Sequence, residues 1–246
     1  MIFKDINCGF YTTHKDDLYV SSYEDVIANQ LKNGIVERVI CNMTKGGGSI
    51  HQMNNVTLKF AAASRGATLP LLHLLPPAYE QESYTKPELA ALINNDQAMF
   101  RVAPASDASP FLDWMYDWMF AYLEESATPL FVSLQQAEMK ELAETMQKHP
   151  NLKLFLTNTT QWLNRQYIQF LKRFPGVMLE ISNVIEYYGI ENITNLIGAE
   201  RLFFGTYMPE KEPYDKLFQV LYCELSEEQK QLIAYGNYDR VIKGRN

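Results

Sequence analysis

The sequence predicts a (β/α)8 TIM barrel, on three observations. Eight segments of strand character start roughly every 28 residues, and each is followed by a segment of helix character. Such alternation argues a parallel sheet with right-handed crossovers, and eight repeats in a chain of 246 residues argue closure into a barrel. Third, residues 200–209 run from strand-like Arg201-Leu202-Phe203-Phe204 into Gly205-Thr206, then into an X-Pro step. Gly permits backbone angles that other residues resist, and Pro stops strand pairing. A short buried strand therefore delivers Thr206 and Tyr207 to its C-terminal end, where α/β barrels keep their chemistry. A doubly wound open sheet is the alternative. No linker or low-complexity stretch divides the chain, so residues 1–246 read as one domain, two smaller domains being the other arrangement this length allows.

The elements follow in order. Residues 2–7 form a first strand, and Cys8 to His14 a polar loop. A helix over 23–32 opens at Ser21-Ser22 as candidate caps and closes at Asn33-Gly34. Strand 35–42 leads through the flexible Lys45-Gly46-Gly47-Gly48-Ser49 to a helix over about residues 50–65, with Gly66 as its stop. Strand 68–75 ends at Pro76-Pro77, and helix 86–94 is entered through Pro87. Strand 98–103 is followed by one long helix over 110–125. The second half repeats regularly: strand 130–134 with helix 136–148, strand 152–157 with helix 161–174, strand 177–182 with helix 187–197, and then the strand at Arg201. Helices over 214–221 and 226–235 close the chain, the last opening with the capping box Ser226-Glu227-Glu228-Gln229.

Composition narrows the function. Hydrophobic residues make up 47% and aromatics 13%, enough for a well-packed core. The net charge is −7 and no Lys/Arg cluster interrupts it, which argues against nucleic acid or an anionic membrane as partner. No apolar run is long enough to span a bilayer, and no signal peptide is read at Met1-Ile2-Phe3-Lys4-Asp5. Cys8, Cys41 and Cys223 form neither a disulfide framework nor a metal knuckle, which suits a reducing cytoplasm. Without a secretion signal, the glycosylation patterns at Asn42, Asn55, Asn158 and Asn192 are chance matches.

Several stretches resemble the amidohydrolase superfamily, in its amidohydrolase-related (amidohydrolase 2) branch. Pro129-Leu130-Phe131-Val132-Ser133 is similar to the family's fifth strand, the passage His149 to Asn158 to its sixth, and Phe174 to Ser182 to its seventh. The segment Ile197 to Gly205 and the tail Gly236-Asn237-Tyr238-Asp239-Arg240 are the most distinctive matches. The resemblance implies a barrel enzyme, a hydrolase or a decarboxylase-like lyase, acting on a small molecule with a metal-bound water as nucleophile. It also implies metal ligands at four strand ends. The His-x-His pair of strand one falls at Asn7 and Gly9, the His of strand five at Ser133, the His of strand six at Asn158, and the closing Asp at Tyr207. Amide, hydroxyl and phenol are weak zinc ligands beside imidazole or carboxylate, and Gly offers none. The usual metal centre is therefore expected to be absent. No cofactor is expected, zinc or another divalent metal entering only if other residues supply ligands.

The remaining candidates are read one by one. Arg101 can hold a carboxylate or phosphate if it faces the barrel mouth, or pair with a neighbour if it faces the helices. Glu180 is a candidate general base, with a buried structural pair as the alternative. His14 and His51 lie on loops over the mouth, where solvated residues are the plainer reading; His73 reads as core and His149 as surface. Cys8 reads as a small buried hydrophobe, since no base or positive neighbour lies beside it in sequence. The glycine loop before residue 50 could cradle an anion but lacks P-loop spacing. Trp114, Trp118 and Tyr122 recur every four residues, one apolar helix face that packs on the barrel or on a second copy, giving a possible homodimer. Two functions stay open. One is a diverged enzyme whose pocket (Asn7, Arg101, Ser133, Asn158, Glu180, Tyr207) binds a small polar ligand, with Glu180 and Tyr207 as catalytic groups; the other is a catalytically silent binding or scaffold barrel.

Overall fold

Why eight short strands close here is visible in the side-chain parity of each. The computed structural model describes residues 1–12, 22–44, 49–79 and 82–244. The strands are β1 (Phe3–Phe10), β2 (Ile35–Asn42), β3 (Thr68–His73), β4 (Met99–Val102), β5 (Leu130–Ser133), β6 (Leu154–Thr157), β7 (Met178–Glu180) and β8 (Leu202–Phe203). They form one parallel sheet in sequence order. The chain just past β8 closes it: Ile6 N–H donates to Phe204 O at 3.0 Å, and Tyr207 N–H to Asn7 O at 2.7 Å. The eightfold strand–helix expectation holds.

Successive strand residues point to opposite faces. Met99, Phe131, Phe155 and Phe203 fill the barrel interior, with Phe131 stacked on Phe155 at 4.7 Å and Phe155 edge-on to Phe203 at 5.0 Å. Phe100, Val102, Leu130, Val132, Leu154 and Leu156 point outward and join the helices in the outer core. Each buried aromatic or branched residue is worth about 2 kcal/mol of apolar burial, which fixes the parity firmly.

The helices are α1 (Tyr23–Lys32), α2 (Ile50–Ala63), α3 (Lys86–Asp96), α4 (Asp113–Tyr116), α5 (Trp118–Glu125), α6 (Met139–Lys148), α7 (Asn164–Arg173), α8 (Gly189–Ile197), α9 (Tyr214–Tyr222) and α10 (Glu227–Gln231). Ser22, Ser49 and Ser226 cap α1, α2 and α10 through their hydroxyls.

Four expectations are corrected. The first strand runs on to Phe10, because Gly9 and Phe10 pair with Cys41 and Asn42; there is no polar loop at residues 8–10. The long helix over 110–125 is two helices, broken at Asp117, whose φ of 46° and ψ of −125° no helix accommodates. The face drawn through Trp114, Trp118 and Tyr122 is therefore not one helix face: Trp114 is exposed, while Trp118 and Tyr122 pack on the outer core. The closing helix ends at Gln231 and continues as wide π turns over Leu232–Gly236 and Tyr238–Lys243. These bring Tyr238, Val241 and Ile242 under the barrel interior. Asn237 in the Gly-Asn-x-x-Arg tail donates to Ala199 O and Leu202 O at 2.7 and 2.8 Å, tying the tail to β8.

Among the described residues no helix is long and apolar enough to cross a membrane. All three cysteines are buried and free.

Candidate functional site

The strand parity that buries Met99 and Phe131 also sends Arg101 and Ser133 to the C-terminal mouth of the barrel. There a cavity of about 310 Å³ is lined by Asn7, Arg101, Ser133, Asn158 and Tyr207. Five of the six expected pocket residues thus meet in one space. Tyr207 and Asn158 both have positive φ, 58° and 49°, in the left-handed region that few side chains adopt. Tyr207 is fixed there by its N–H bond to Asn7 O, which is one of the bonds that close the barrel.

Arg101 is half-buried, and its Nη1 donates to Cys41 Sγ at 3.4 Å. Among the described residues no carboxylate pairs with this guanidinium. The mouth-facing alternative for Arg101 is the one the fold adopts.

Glu180, the sixth residue, does not line the cavity. Its carboxyl is wholly buried behind Asn7. One oxygen accepts from Asn7 Nδ2 at 2.7 Å and from Ser182 Oγ at 2.9 Å, and the other accepts from the Ser182 N–H. Burial pushes its pKa up to about 7, against the Ser182 bonds, and the nearby Asp5 charge adds to the rise. Asn7 also donates to Asn158 Oδ1 at 3.0 Å, so one amide joins the buried carboxyl to the cavity wall. A second buried carboxyl flanks it. Asp5 accepts from Thr206 Oγ1 at 2.5 Å, from Gln30 Nε2 at 2.8 Å and from Asn7 N at 2.8 Å, and burial lifts its pKa to about 6. Gln30 in turn accepts from the buried Arg38 at 2.6 Å.

Sequence reasoning missed three contributors. Tyr11 and Glu210 line the cavity and are hydrogen-bonded to each other, and burial and that bond raise the Tyr11 phenol. Tyr11 follows a strand that runs on past its expected end at residue 7, and Glu210 lies in the stretch after β8, which the sequence reading did not follow past Tyr207 and Pro209. The third is His73, which is not a core residue. It ends β3 half-buried at the mouth, with Nε2 2.8 Å from Asp107 Oδ2. Its register partner on β4 is Arg101, and Leu71 pairs with Met99 on the same face; that parity was the available signal.

His51 lies edge-on to Tyr84 at 4.6 Å and does not line the cavity. Cys8 is buried, with its thiol on Val39 O at 3.4 Å and burial pushing its pKa well up, as expected of a buried hydrophobe. His149 is buried rather than surface: it sits between Asp113 and Glu124 at the opposite end of the barrel. His14 and the glycines 46–48 lie outside the described residues.

No family model matches the chain, and no curated protein matches it by sequence. Solved structures do. A 2,6-dihydroxybenzoate decarboxylase from Rhizobium is 12% identical, with a TM-score of 0.77 over 100% of this chain and 99% of that one. The fold is the (β/α)8 barrel of that structure. An amidohydrolase II protein has a TM-score of 0.70 at 14% identity over 98% and 99% of the two chains. A 5-carboxyvanillate decarboxylase from Novosphingobium aromaticivorans, complexed with manganese and 4-hydroxy-3-methoxy-5-nitrobenzoic acid, has a TM-score of 0.72 at 12% identity over 98% and 96%. At these identities the likeness is one of fold.

The described donors of this barrel do not fit such a metal. Among the described residues no three His, Cys, Asp or Glu side chains are placed to share an ion. The amide of Asn7 is already committed to Asn158 and Glu180, and a side chain at Gly9 would run into Met43. Asp5 and Glu180 are sealed from the cavity by their own hydrogen bonds.

Proposed function

We propose that the protein binds a small anionic molecule, of the aromatic carboxylate class, in the barrel mouth. It acts there as an amidohydrolase-related hydrolase or decarboxylase-like lyase without the family's usual metal centre. The observation that carries this reading is the Arg101 guanidinium, half-buried in a polar cavity with no carboxylate partner among the described residues. A planar fork in that setting favours a ligand carboxylate, held by charge-assisted hydrogen bonds. Phe131 and Leu71 supply apolar wall for a ring, while Ser133 and Asn158 supply hydrogen bonds to its substituents. The decarboxylases that share the fold bind hydroxylated benzoates, which fits the same size and charge.

In this reading Tyr207 is the group that can donate a proton inside the cavity. Burial and Glu210 raise its pKa, so the phenol stays protonated at neutral pH. Glu180 is a positioning residue. It acts through the Asn7 amide, and its state near neutral pH decides how firmly that amide is held.

The test is calorimetric titration with 2,6-dihydroxybenzoate, followed by an assay for carbon dioxide release with and without added manganese. Wild type is expected to bind, Arg101→Met to bind at least tenfold more weakly, and any turnover to be independent of manganese. No binding at millimolar ligand overturns the reading. Binding without turnover of any aromatic carboxylate overturns its enzymatic half.

A further inference from the structure

Beside the first cavity lies a second, of about 340 Å³, and the two share Arg101, Met43, Ala103 and Ser106. Its character is different. Ile50 and Met53 from α2, together with Leu75, give it an apolar wall, and His73 with Asp107 gives it one polar corner.

That histidine is held at several points. Asn54 of α2 clamps its backbone, accepting from His73 N at 2.9 Å and donating to His73 O at 2.8 Å. Asn54 also donates to Tyr84 Oη at 2.9 Å, which fixes the clamp. The ring is fixed by Asp107, 2.8 Å from Nε2. Asp107 is fixed in turn by the Ala103 N–H at 3.3 Å and by its own N–H on Ala103 O at 2.9 Å. An ionised carboxylate only accepts, so Nε2 carries a proton, and in the ring's neutral form the lone pair lies on Nδ1. Among the described residues Nδ1 has no partner. Register places His73 directly beside Arg101 on the neighbouring strand, about 5 Å away in backbone terms.

We propose that the two cavities form one bent site, with Arg101 at the bend. The ligand's carboxylate sits on Arg101, an aryl or alkyl arm fills the second cavity, and a hydroxyl next to the carboxylate donates to His73 Nδ1. The ligand class is thus a hydroxycarboxylic acid with an apolar arm. This rests on the anion-binding reading of the first cavity. It adds what the arm is, where it lies, and which residue reads the hydroxyl.

The probes are lactate, 3-phenylpropionate and 3-phenyllactate, titrated calorimetrically, with 2,6-dihydroxybenzoate as the reference for Arg101. Wild type is expected to bind 3-phenyllactate at least tenfold more tightly than lactate, and several-fold more tightly than 3-phenylpropionate. Met53→Trp, which fills the second cavity, is expected to remove the gain from the phenyl arm. His73→Gln is expected to remove the gain from the hydroxyl alone, a split that general unfolding would not produce. In wild type, independently of any variant, the Ile50 methyl resonance is expected to shift with 3-phenyllactate and not with lactate. If 2,6-dihydroxybenzoate binds but the phenyl arm adds nothing and Ile50 is silent, the bent site is wrong and the anion site stands. If no carboxylate binds, both fall.

Discussion

The carboxyl of Glu180 lies against the backbone of Gly205, in space that a β-carbon would fill. The strand β7 that ends in Glu180 is paired with β8, just before Gly205, so neither partner can move away without opening the sheet. Glycine is needed here for close approach, not for an unusual φ. Gly205→Ala is expected to destabilise the protein by about 1–3 kcal/mol through overpacking. Urea denaturation measures it, and a cost below about 0.5 kcal/mol would show that the carboxyl has room to move.

Stability is expected to fall as pH rises through the weakly acidic range. Glu180 rises from 4.5 to about 7 on folding, and Asp5 from 3.8 to about 6. A raised carboxyl binds its proton more tightly in the native state, so the native chain holds protons that the unfolded chain has lost. Its contribution is intact below the unfolded pKa and is lost by the folded one. For Glu180 that window is about pH 4.5 to 7, and the loss is up to about 3 kcal/mol. Urea midpoints for wild type are expected to drop between pH 5 and 7.5, with a shallower slope in Glu180→Gln. Equal slopes would remove Glu180 as the cause.

Asp117 holds a backbone conformation suited to glycine, and the chain breaks there between α4 and α5. Asp117→Gly is expected to stabilise by about 1 kcal/mol, the relief of strain exceeding glycine's added unfolded-state entropy. A lower thermal midpoint than wild type would contradict the strain.

His149 bridges Glu124 at 3.0 Å and Asp113 at 2.7 Å, one ring nitrogen to each. Its removal leaves two acidic groups facing a gap. His149→Leu is expected to cost about 2 kcal/mol, seen in guanidinium denaturation, while 2,6-dihydroxybenzoate binding at the far end of the barrel persists. A cost near zero would mean that water replaces the imidazole.

Much of this molecule is legible without coordinates. The eight repeats, the caps at Ser22 and Ser226 and the strand end that delivers Tyr207 follow from local periodicity and turn chemistry, while the family resemblance marked Ser133 and Asn158. Those signals act within a few residues, so a sequence displays them directly. Strand parity goes one step further: it puts Arg101 on the face of Met99, and would have put His73 on the face of Leu71.

What the sequence alone determined is the alternation, the phase of each strand and the residue types at the strand ends, because these are properties of neighbours along the chain. Tertiary structure decided the rest. Only closure of the barrel, Tyr207 on Asn7, set Glu180 behind an amide instead of in the cavity. Only the packing of loops over the mouth joined His73 to Asp107 and Tyr11 to Glu210. Burial then lifted Asp5 and Glu180, since a carboxyl's pKa depends on the water it loses, and that loss comes from residues far away in sequence.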